Sequence, residues 1–287
     1  MGRTRHDRGD QWSAQGEYAV RFEWGPEGAR RLMAGGDVVC LVVVDVLSFT
    51  TAVSVAVEAG TKVFPYAWRD ESAVAFARER DAALAVGRRG VTEGSPWSLS
   101  PAALRRAPFT PRLVLPSPNG SAIAAAAGAS GVVVAGCLRN AAAVGSWLAG
   151  QGYGRPDRPV AVVAAGERWG DGSLRPALED LLGAGAVISA IQEAELSPEA
   201  SVAAAAYTSC TDVASAVADC ASGRELVSQG FAADVAVAVE LEASEGVPVL
   251  VDGAFFSPTP PLPDTGAPPQ TPLLKLPQTP SGGTHRG

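Results

Sequence analysis

A nine-residue apolar segment, VVCLVVVDV (Val38–Val46), constrains the fold more than any other part of the chain. Its β-branched residues occupy consecutive rather than alternate positions, which is the pattern of a strand buried on both faces. A strand of that kind needs helices above and below it to keep water away from both sets of side chains. The segment therefore predicts an interior strand of an α/β sheet.

Strand-like and helix-like segments alternate along the body of the chain. The predicted strands are Val38–Val46, Thr61–Ala67, Arg112–Ser117, Gly131–Gly136, Pro159–Gly166 and, as the last one, Val247–Val251. The predicted helices are 47–60, 71–83, Gly120–Ala127, Asn140–Leu148, Pro176–Ala190 and an Ala-rich stretch over Pro198–Leu241. This alternation predicts a mostly parallel or mixed sheet with helices on both faces, a three-layer α/β/α fold.

Length and composition place the boundaries of that domain. The chain has 287 residues, 47% of them apolar, enough to bury a sizeable core. Residues 1–17 are polar and are expected to form a flexible leader. Residues 257–287 contain nine prolines and predict a disordered tail. The α/β domain is therefore expected to span residues 18–256.

The charge pattern excludes several classes of partner. The chain carries 23 basic and 30 acidic residues, a net charge of −7, and has no block of lysine or arginine. We therefore expect binding neither to nucleic acid nor to membranes. No apolar run reaches the roughly 18 residues of a membrane span, and the polar N-terminus lacks a secretory signal. A cytoplasmic protein is expected. The sequence leaves the oligomeric state open and is compatible with a homo-oligomer.

Two residue types are nearly missing. His6 and His285 are the only histidines, and both lie in the polar ends of the chain. A Ser-His-Asp triad, a His-ligated zinc site, a phosphohistidine phosphatase and a Cys-His protease are therefore disfavoured. Lys62 and Lys275 are the only lysines, which disfavours Schiff-base chemistry and a Walker-type phosphate site.

Polar residues follow several predicted strands, where ligands of open α/β sheets bind. Asp45 ends the first strand, and Thr50 and Thr51 open the next helix. An aspartate at that point can be a Mg²⁺ ligand or a nucleophile, and the helix start can hold an anion. The plainer interpretation is that the threonines are N-caps and that Asp45 is a turn residue.

A second loop, after Arg112–Ser117, contains Ser117, Asn119, Gly120 and Ser121. Small polar residues around a glycine let the backbone approach a phosphate or sulfonate closely. An ordinary Asn-Gly turn explains the same residues.

Two later loops combine an arginine with an amide or a carboxylate. Arg139 and Asn140 follow one predicted strand, and Glu167 and Arg168 follow the next. A guanidinium at a helix start suits bidentate binding of an anion. A capping asparagine and a surface arginine explain the first pair equally well.

A pair of adjacent carboxylates, Glu179 and Asp180, lies in an otherwise apolar predicted helix. One of them can serve a metal ion while the other faces elsewhere, although a solvated helix face is the simpler interpretation. Together, the carboxylates, arginines and helix starts suit a small polyanionic substrate bound through Mg²⁺. Phosphoryl transfer is the reaction class that this combination favours.

The ordered set of motifs resembles the 2-phosphosulfolactate phosphatase (ComB-like) family over roughly residues 20–250. The motifs of that family, in order, are DVLRATT, GER with GNSP, TTNGT, a short Asn-containing helix start, an acidic ED helix and a closing GF-x-x-D segment. The corresponding segments here are DVLSFTTA (Asp45–Ala52), EGSP (Glu93–Pro96), SPNGS (Ser117–Ser121), RNAAAV (Arg139–Val144), EDLLGAGA (Glu179–Ala186) and GRELVSQGFAAD (Gly223–Asp234).

The resemblance implies an α/β enzyme that uses Mg²⁺ to hydrolyse 2-phospho-3-sulfolactate, with a small phosphorylated or sulfonated acid as its partner. It implies catalytic and metal-binding roles for Asp45, Glu179 and Asp180. The residues expected to bind substrate are Ser48, Thr50, Thr51, Ser117, Asn119, Gly120, Ser121, Arg139, Asn140, Glu167 and Arg168.

The chain departs from the family pattern at several positions. Ser48 replaces the arginine of DVLRATT, and Gly87-Arg88-Arg89 lacks the glutamate of GER. Gly94 replaces the asparagine of GNSP, and TTNGT has become SPNGS. Arg139, or the Glu167-Arg168 pair, is a candidate to compensate for the lost arginine.

Three other hypotheses compete with the phosphatase. A degenerate family member could bind a small anion or act as a scaffold without turnover. A haloacid-dehalogenase-like phosphatase would need a second aspartate where the chain has Leu47, and a core lysine. Dinucleotide binding would use GAGA (Gly183–Ala186), but that sequence lies within a predicted helix instead of following a strand.

Overall fold

The computed structural model describes residues 12–67, 70–127 and 131–258, and a nine-stranded sheet dominates them. In spatial order its strands are β1 (Val20–Trp24), β7 (Val160–Ala164), β2 (Cys40–Val44), β6 (Val132–Gly136), β10 (Val249–Val251), β11 (Ala254–Phe256), β3 (Lys62–Tyr66), β5 (Arg112–Pro116) and β4 (Ala83–Leu84). A separate two-stranded hairpin pairs β8 (Glu167–Arg168) with β9 (Leu174–Arg175).

Eleven α-helices accompany the sheet in the described part of the chain. They are α1 (Gly25–Met33), α2 (Phe49–Glu58), α3 (Glu71–Glu79), α4 (Pro101–Leu104), α5 (Gly120–Ala127), α6 (Ala141–Gly150), α7 (Leu178–Ala190), α8 (Pro198–Thr208), α9 (Val213–Asp219), α10 (Ala221–Ser228) and α11 (Ala232–Ala238). The predicted helical stretch over Pro198–Leu241 is thus four helices joined by turns.

Strand β2 is buried on both faces, as its run of β-branched residues predicts. Val42 and Val44 belong to the core under α6, α7 and α8, while Leu41 and Val43 belong to the core under α1, α2 and α5. Successive side chains of a strand point to opposite faces, so one short segment supplies both hydrophobic layers. The three-layer α/β/α prediction is confirmed.

The sheet is mixed because a hairpin joins two parallel groups. β1, β7, β2 and β6 are parallel neighbours, and β3, β5 and β4 form a second parallel set. Strands β10 and β11 lie between the sets and pair antiparallel with each other, with β6 and with β3. The prediction that Val247–Val251 is the last strand is wrong. Asp252 and Gly253 both have positive φ, as a two-residue hairpin turn requires, and β11 follows.

Strand β1 and helix α1 are among the elements that were not predicted from the sequence. In β1 the sequence VRFEW alternates apolar and polar residues, a pattern typical of a strand, yet Arg21 is buried and pairs with Asp37. In α1 a proline stands near the start and Glu27 lies in the first turn, both common at helix starts. Both elements therefore had local sequence patterns that would have identified them.

The predicted ends of the domain are partly visible. Residues 12–17 of the predicted leader contact the domain, since the Gln15 side chain exchanges two hydrogen bonds with the backbone of Phe22. Residues 1–11 of that leader and residues 259–287 of the predicted tail lie outside the described residues. Within the described ranges, every helix is too short or too polar to cross a membrane.

Candidate active site

The loops after β2 and β5 meet at the carboxyl group of Asp45. Its Oδ1 accepts the backbone N–H of Phe49 at 3.0 Å, and its Oδ2 accepts that of Gly120 at 2.8 Å. Phe49 and Gly120 are the first residues of α2 and α5. Asp45 therefore receives the positive ends of two helices, which suit a negative group.

Asp180, near the start of α7, connects the loops after β2 and β7. Its Oδ1 accepts the N–H of Val46 at 2.7 Å, and its Oδ2 accepts that of Gly166 at 2.8 Å. Both contacts are buried, and Asp180 lies 134 residues beyond Val46 in the chain. This carboxyl group thus fixes two strand-end loops relative to each other.

Two glutamates complete a group that we call the acidic cluster, made of Asp45, Glu167, Glu179 and Asp180. The side-chain amide of Asn119 donates to Glu167 Oε2 at 3.1 Å. The thiol of Cys220 donates to Glu179 Oε2 at 3.2 Å. Glu179 and Asp180 are both buried, so the interpretation as a solvated helix face is wrong.

Burial and nearby carboxylates raise the pKa of three members of the acidic cluster, Asp45, Glu167 and Asp180. Burial raises the pKa of Asp45, and Glu179 raises it further, while the two backbone N–H groups and Arg88 act in the opposite direction. Burial, Asp45 and Glu179 hold the pKa of Asp180 well above its usual range. Burial, with Asp45 and Glu179, raises the pKa of Glu167 to about 7. Burial and mutual repulsion thus favour the protonated form of these three carboxyl groups.

Cys220 is a protonated neighbour of this cluster. Burial raises the pKa of its thiol to about 11, and the charge of Glu179 acts in the same direction. A thiol with that pKa stays protonated at neutral pH, which suits hydrogen-bond donation to Glu179 and not nucleophilic attack.

Several predicted substrate-binding residues make hydrogen bonds with the backbone of the strand-end loops. The hydroxyls of Thr50, Thr51 and Ser121 donate to the carbonyls of Asp45, Val46 and Leu115, respectively. The buried Ser117 donates its backbone N–H to Tyr66 at 3.0 Å. These four residues therefore hold the backbone around Asp45 and Gly120 in place.

Three other predicted residues are not brought to the cluster. Arg139 is buried, and its guanidinium pairs with Glu58 and Glu240. Asn140 uses its amide on Ala135, Cys137 and Gly246. Arg168 is exposed and donates to Gly172 within the β8–β9 hairpin. Neither Arg139 nor Arg168 therefore compensates for the arginine replaced by Ser48.

Arg88, counted in the sequence only as a lost glutamate, lies against that position instead. One Nη2–H of its guanidinium donates to the hydroxyl of Ser48, and its Nε–H donates to Asp234 Oδ2 at 2.8 Å. Ser48, Arg88 and Asp234 belong to three separate motifs of the sequence. Their order along the chain matched a family pattern, but no local pattern indicated that they touch.

The GAGA segment, Gly183–Ala186, lies inside α7, as expected from its position in a predicted helix. A Cβ at Gly183 would lie 2.6 Å from Val46, and one at Gly185 would lie 2.1 Å from the carbonyl of Ala203. These glycines let α7 approach β2 and α8 closely. Their role in packing accounts for them without a dinucleotide.

The family model for 2-phosphosulpholactate phosphatase matches residues 30–253, which include the whole acidic cluster. The chain belongs to this family. Comparison with curated proteins gives no match. The family is named for hydrolysis of a phosphoric monoester, which agrees with a site that joins carboxylates to two helix starts. Membership favours this family's layout over a haloacid-dehalogenase-like one, for which Leu47 and the missing core lysine were already unfavourable.

For a 2-phosphosulpholactate phosphatase family member, the fit of Mg²⁺ depends on which carboxylate oxygens remain available. Among the residues that the structure describes, no three His, Cys, Asp or Glu side chains lie together closely enough to hold a metal ion. Asp45 and Asp180 each use both oxygens on backbone N–H groups. The predicted ligand set of Asp45, Glu179 and Asp180 is therefore not assembled as three direct ligands.

The donor chemistry nevertheless fits Mg²⁺ in a more open form. Mg²⁺ prefers oxygen donors and is commonly held by one or two carboxylates, with water and substrate phosphate completing its shell. Ser222 Oγ adds an observation of its own, because within the described ranges it is buried and has no hydrogen-bond partner. It lies two residues beyond Cys220, the thiol that contacts Glu179. An oxygen without a partner at this place suits a site completed by a bound group.

Proposed function

We propose that the protein is a Mg²⁺-dependent phosphatase that hydrolyses 2-phosphosulfolactate, or a related small phosphorylated acid, to the hydroxy acid and phosphate. The observation that carries the proposal is the acidic cluster. Strand-end loops from β2 and β7 and the start of α7 bring its four carboxyl groups together beside the first residues of α2 and α5. Family membership supplies the reaction class.

Asp45 and Glu179 are the carboxylates that would hold Mg²⁺, since each Asp45 oxygen keeps a second lone pair beside the one that accepts a backbone N–H. When bound, the ion would neutralise charge on the phosphoryl oxygens and act as a Lewis acid. Asp180 acts as a positioning residue, since it holds the backbone next to Asp45 and the loop that carries Glu167. The helix starts at Phe49 and Gly120 keep the Asp45 carboxylate in one orientation.

Glu167 is the group that transfers the proton. In the metal-free protein its pKa is about 7, so this carboxyl group can gain and lose a proton near neutral pH, and Asn119 orients it. The oxygen of water bonds to phosphorus while the ester P–O bond breaks. Protonated Glu167 donates its proton to the departing alcohol oxygen, and a proton of the attacking water then restores the acid.

Phosphate release from a panel of phosphorylated small acids, including 2-phosphosulfolactate, tests this function. We expect release with Mg²⁺ and none with EDTA. The Asp45→Asn variant should lower kcat/KM by at least about 100-fold, the scale seen when one stabilising group is removed from an active site. Asp252→Asn is the matched control, because Asp252 lies exposed in the β10–β11 turn and its positive φ suits asparagine.

Binding without turnover is the second candidate function, and the replacement of the family arginine by Ser48 favours it. A folded wild-type protein that releases no phosphate from any compound would contradict the phosphatase. A rise in Tm with sulfolactate or phosphate would then identify an anion-binding protein. A scaffold would show neither turnover nor stabilisation.

A further inference from the structure

The guanidinium of Arg88 is only partly used by the protein. Its Nε–H binds Asp234 and one Nη2–H binds Ser48. A guanidinium has five N–H donors, so three of them have no acceptor among the described residues. The Arg88 side chain is 17% exposed, so it is mostly enclosed by the protein but keeps contact with solvent.

Arg88 is also held rigidly. Asp234 is buried, and its other oxygen accepts hydrogen bonds from the hydroxyl of Ser100 and the backbone N–H of Ala102 at the start of α4. The centroid of the Phe231 ring lies 5.7 Å from the guanidinium carbon of Arg88. A fork of donors fixed in this way loses little entropy when it binds a planar or tetrahedral oxyanion.

The position of Arg88 connects it to the acidic cluster. Ser48, which it contacts, precedes Phe49, the residue whose N–H binds Asp45. Its positive charge also acts on Asp45, where it opposes the rise in pKa that burial causes. Arg88, with its unused donors, thus contacts the residue that precedes Phe49, at the helix start beside which the phosphoryl group would bind.

A small phosphorylated acid carries two kinds of anion. One is the phosphoryl group, and the other is a carboxylate or sulfonate that does not react. We propose that Arg88 binds this second anion through its free N–H groups and so selects phosphorylated acids over phosphate esters that carry no second anionic group. The proposal rests on the proposed function for its substrate class, and on the contacts of Arg88 for its residue.

Steady-state kinetics with four esters test this role. They are 2-phosphosulfolactate, 2-phospholactate, the phosphate ester of 2-hydroxypropanesulfonate, and isopropyl phosphate, which has no acid group. For Arg88→Ala we expect KM to rise about 10- to 100-fold with the acid-bearing esters, the scale of lost hydrogen bonds to a charged group, and kcat to change less than about threefold. With isopropyl phosphate, kcat/KM should fall at least about fivefold less than with the acid-bearing esters, because that ester loses only the effect of the Arg88 charge on Asp45.

The ester with the larger loss identifies whether the carboxylate or the sulfonate binds Arg88. Arg88→Lys should keep part of the effect, because it retains the charge but not the fork. Arg105→Ala is the matched control, since it also removes an ion pair, with Glu240, and does not involve Ser48. An equal loss on all four esters, or no loss on any, would overturn the proposal. If Arg88→Ala does not fold, Arg88→Lys decides by the same comparison.

A separate measurement keeps this inference distinct from the phosphatase itself. If the wild-type protein hydrolyses none of the esters, the proposed function has failed, and calorimetric titration with 3-sulfolactate then tests Arg88 alone. Binding to wild type that weakens at least about tenfold in Arg88→Ala, or in Arg88→Lys, upholds an anion site at Arg88. Equal affinity, or no binding to wild type, overturns it.

Discussion

Replacing Gly120 with alanine should destabilise the protein at the centre of its site. A Cβ at this position would lie 2.5 Å from Phe49 Cδ1, 2.8 Å from Asp45 Oδ2 and 2.9 Å from Asp45 Cβ. Neither neighbour has room to move, because both are buried and Phe49 packs on Phe255 with ring centroids 6.2 Å apart. The start of α5 must therefore shift away from β2, and the hydrogen bond from Gly120 to Asp45 must lengthen or break.

Two costs set the magnitude of this effect. Overpacking a core typically costs about 1–3 kcal/mol, and a lost hydrogen bond to a charged group costs about 1.5–3 kcal/mol. A shift of α5 relieves the overpacking but breaks the hydrogen bond to Asp45, so the two costs are not fully additive. The added helix propensity of alanine returns up to about 1 kcal/mol. We therefore expect the free energy of unfolding to fall by about 2–3 kcal/mol, which for a domain of this size lowers Tm by roughly 4–12 °C.

Urea unfolding followed by circular dichroism measures the loss, and phosphate release measures its effect on Asp45. Gly150→Ala is the matched control. Gly150 ends α6, is exposed, and has no atom within 4 Å of the added Cβ. It should be as stable as wild type or slightly more so. If Gly120→Ala unfolds at the same urea concentration as wild type, the close approach of Gly120 does not hold Asp45 in place.

Two further predictions concern charged groups. In metal-free protein, folding raises the pKa of Glu167 from 4.5 to about 7, so the folded state binds this proton more tightly than the unfolded state does. The free energy of unfolding should therefore fall as the pH rises from 4.5 to 7. With allowance for solvent screening, the fall should be up to about 2 kcal/mol. Urea titrations across that range should show this slope in wild type and in the exposed control Glu245→Gln; a Glu167→Gln variant with an unchanged slope would refute the assignment. Arg139→Ala should cost about 2–4 kcal/mol, because it empties a buried space and breaks the pairs with Glu58 and Glu240. At temperatures below the Tm of this variant, its KM should stay within about twofold of wild type. A tenfold rise in KM would show instead that Arg139 binds substrate.

Much of the fold is predictable from the sequence because local patterns suffice for it. The consecutive β-branched residues of β2 cannot face water on either side, so they specify an interior strand and two covering layers. Asp45 at the end of that strand follows from the same pattern. Burial of Glu179 and Asp180 could be suspected from their apolar surroundings, since the residues around them have no polar face to offer.

The contacts of the site depend on tertiary structure. Arg139 and Arg88 are the same residue type in similar loops, yet packing directs one guanidinium to Glu58 and Glu240 and the other to Ser48. Asp234, which holds Arg88, lies 146 residues away in the chain. No local period or turn preference encodes such a pairing, because it depends on how α4, α11 and the β4–α4 loop pack together.

Local sequence patterns thus suffice to predict the class of fold, the buried strand and the type of groups that reach its end. Which of those groups meet depends on the packing of the whole domain, because the hydrophobic pattern of a segment does not specify which loops become neighbours. The antiparallel hairpin β10–β11 illustrates the same limit: the Asp252-Gly253 turn is encoded locally, but its place between two parallel sets depends on strands far away in the chain. The final selection of partners comes from close packing, where one guanidinium can reach Ser48 and another cannot.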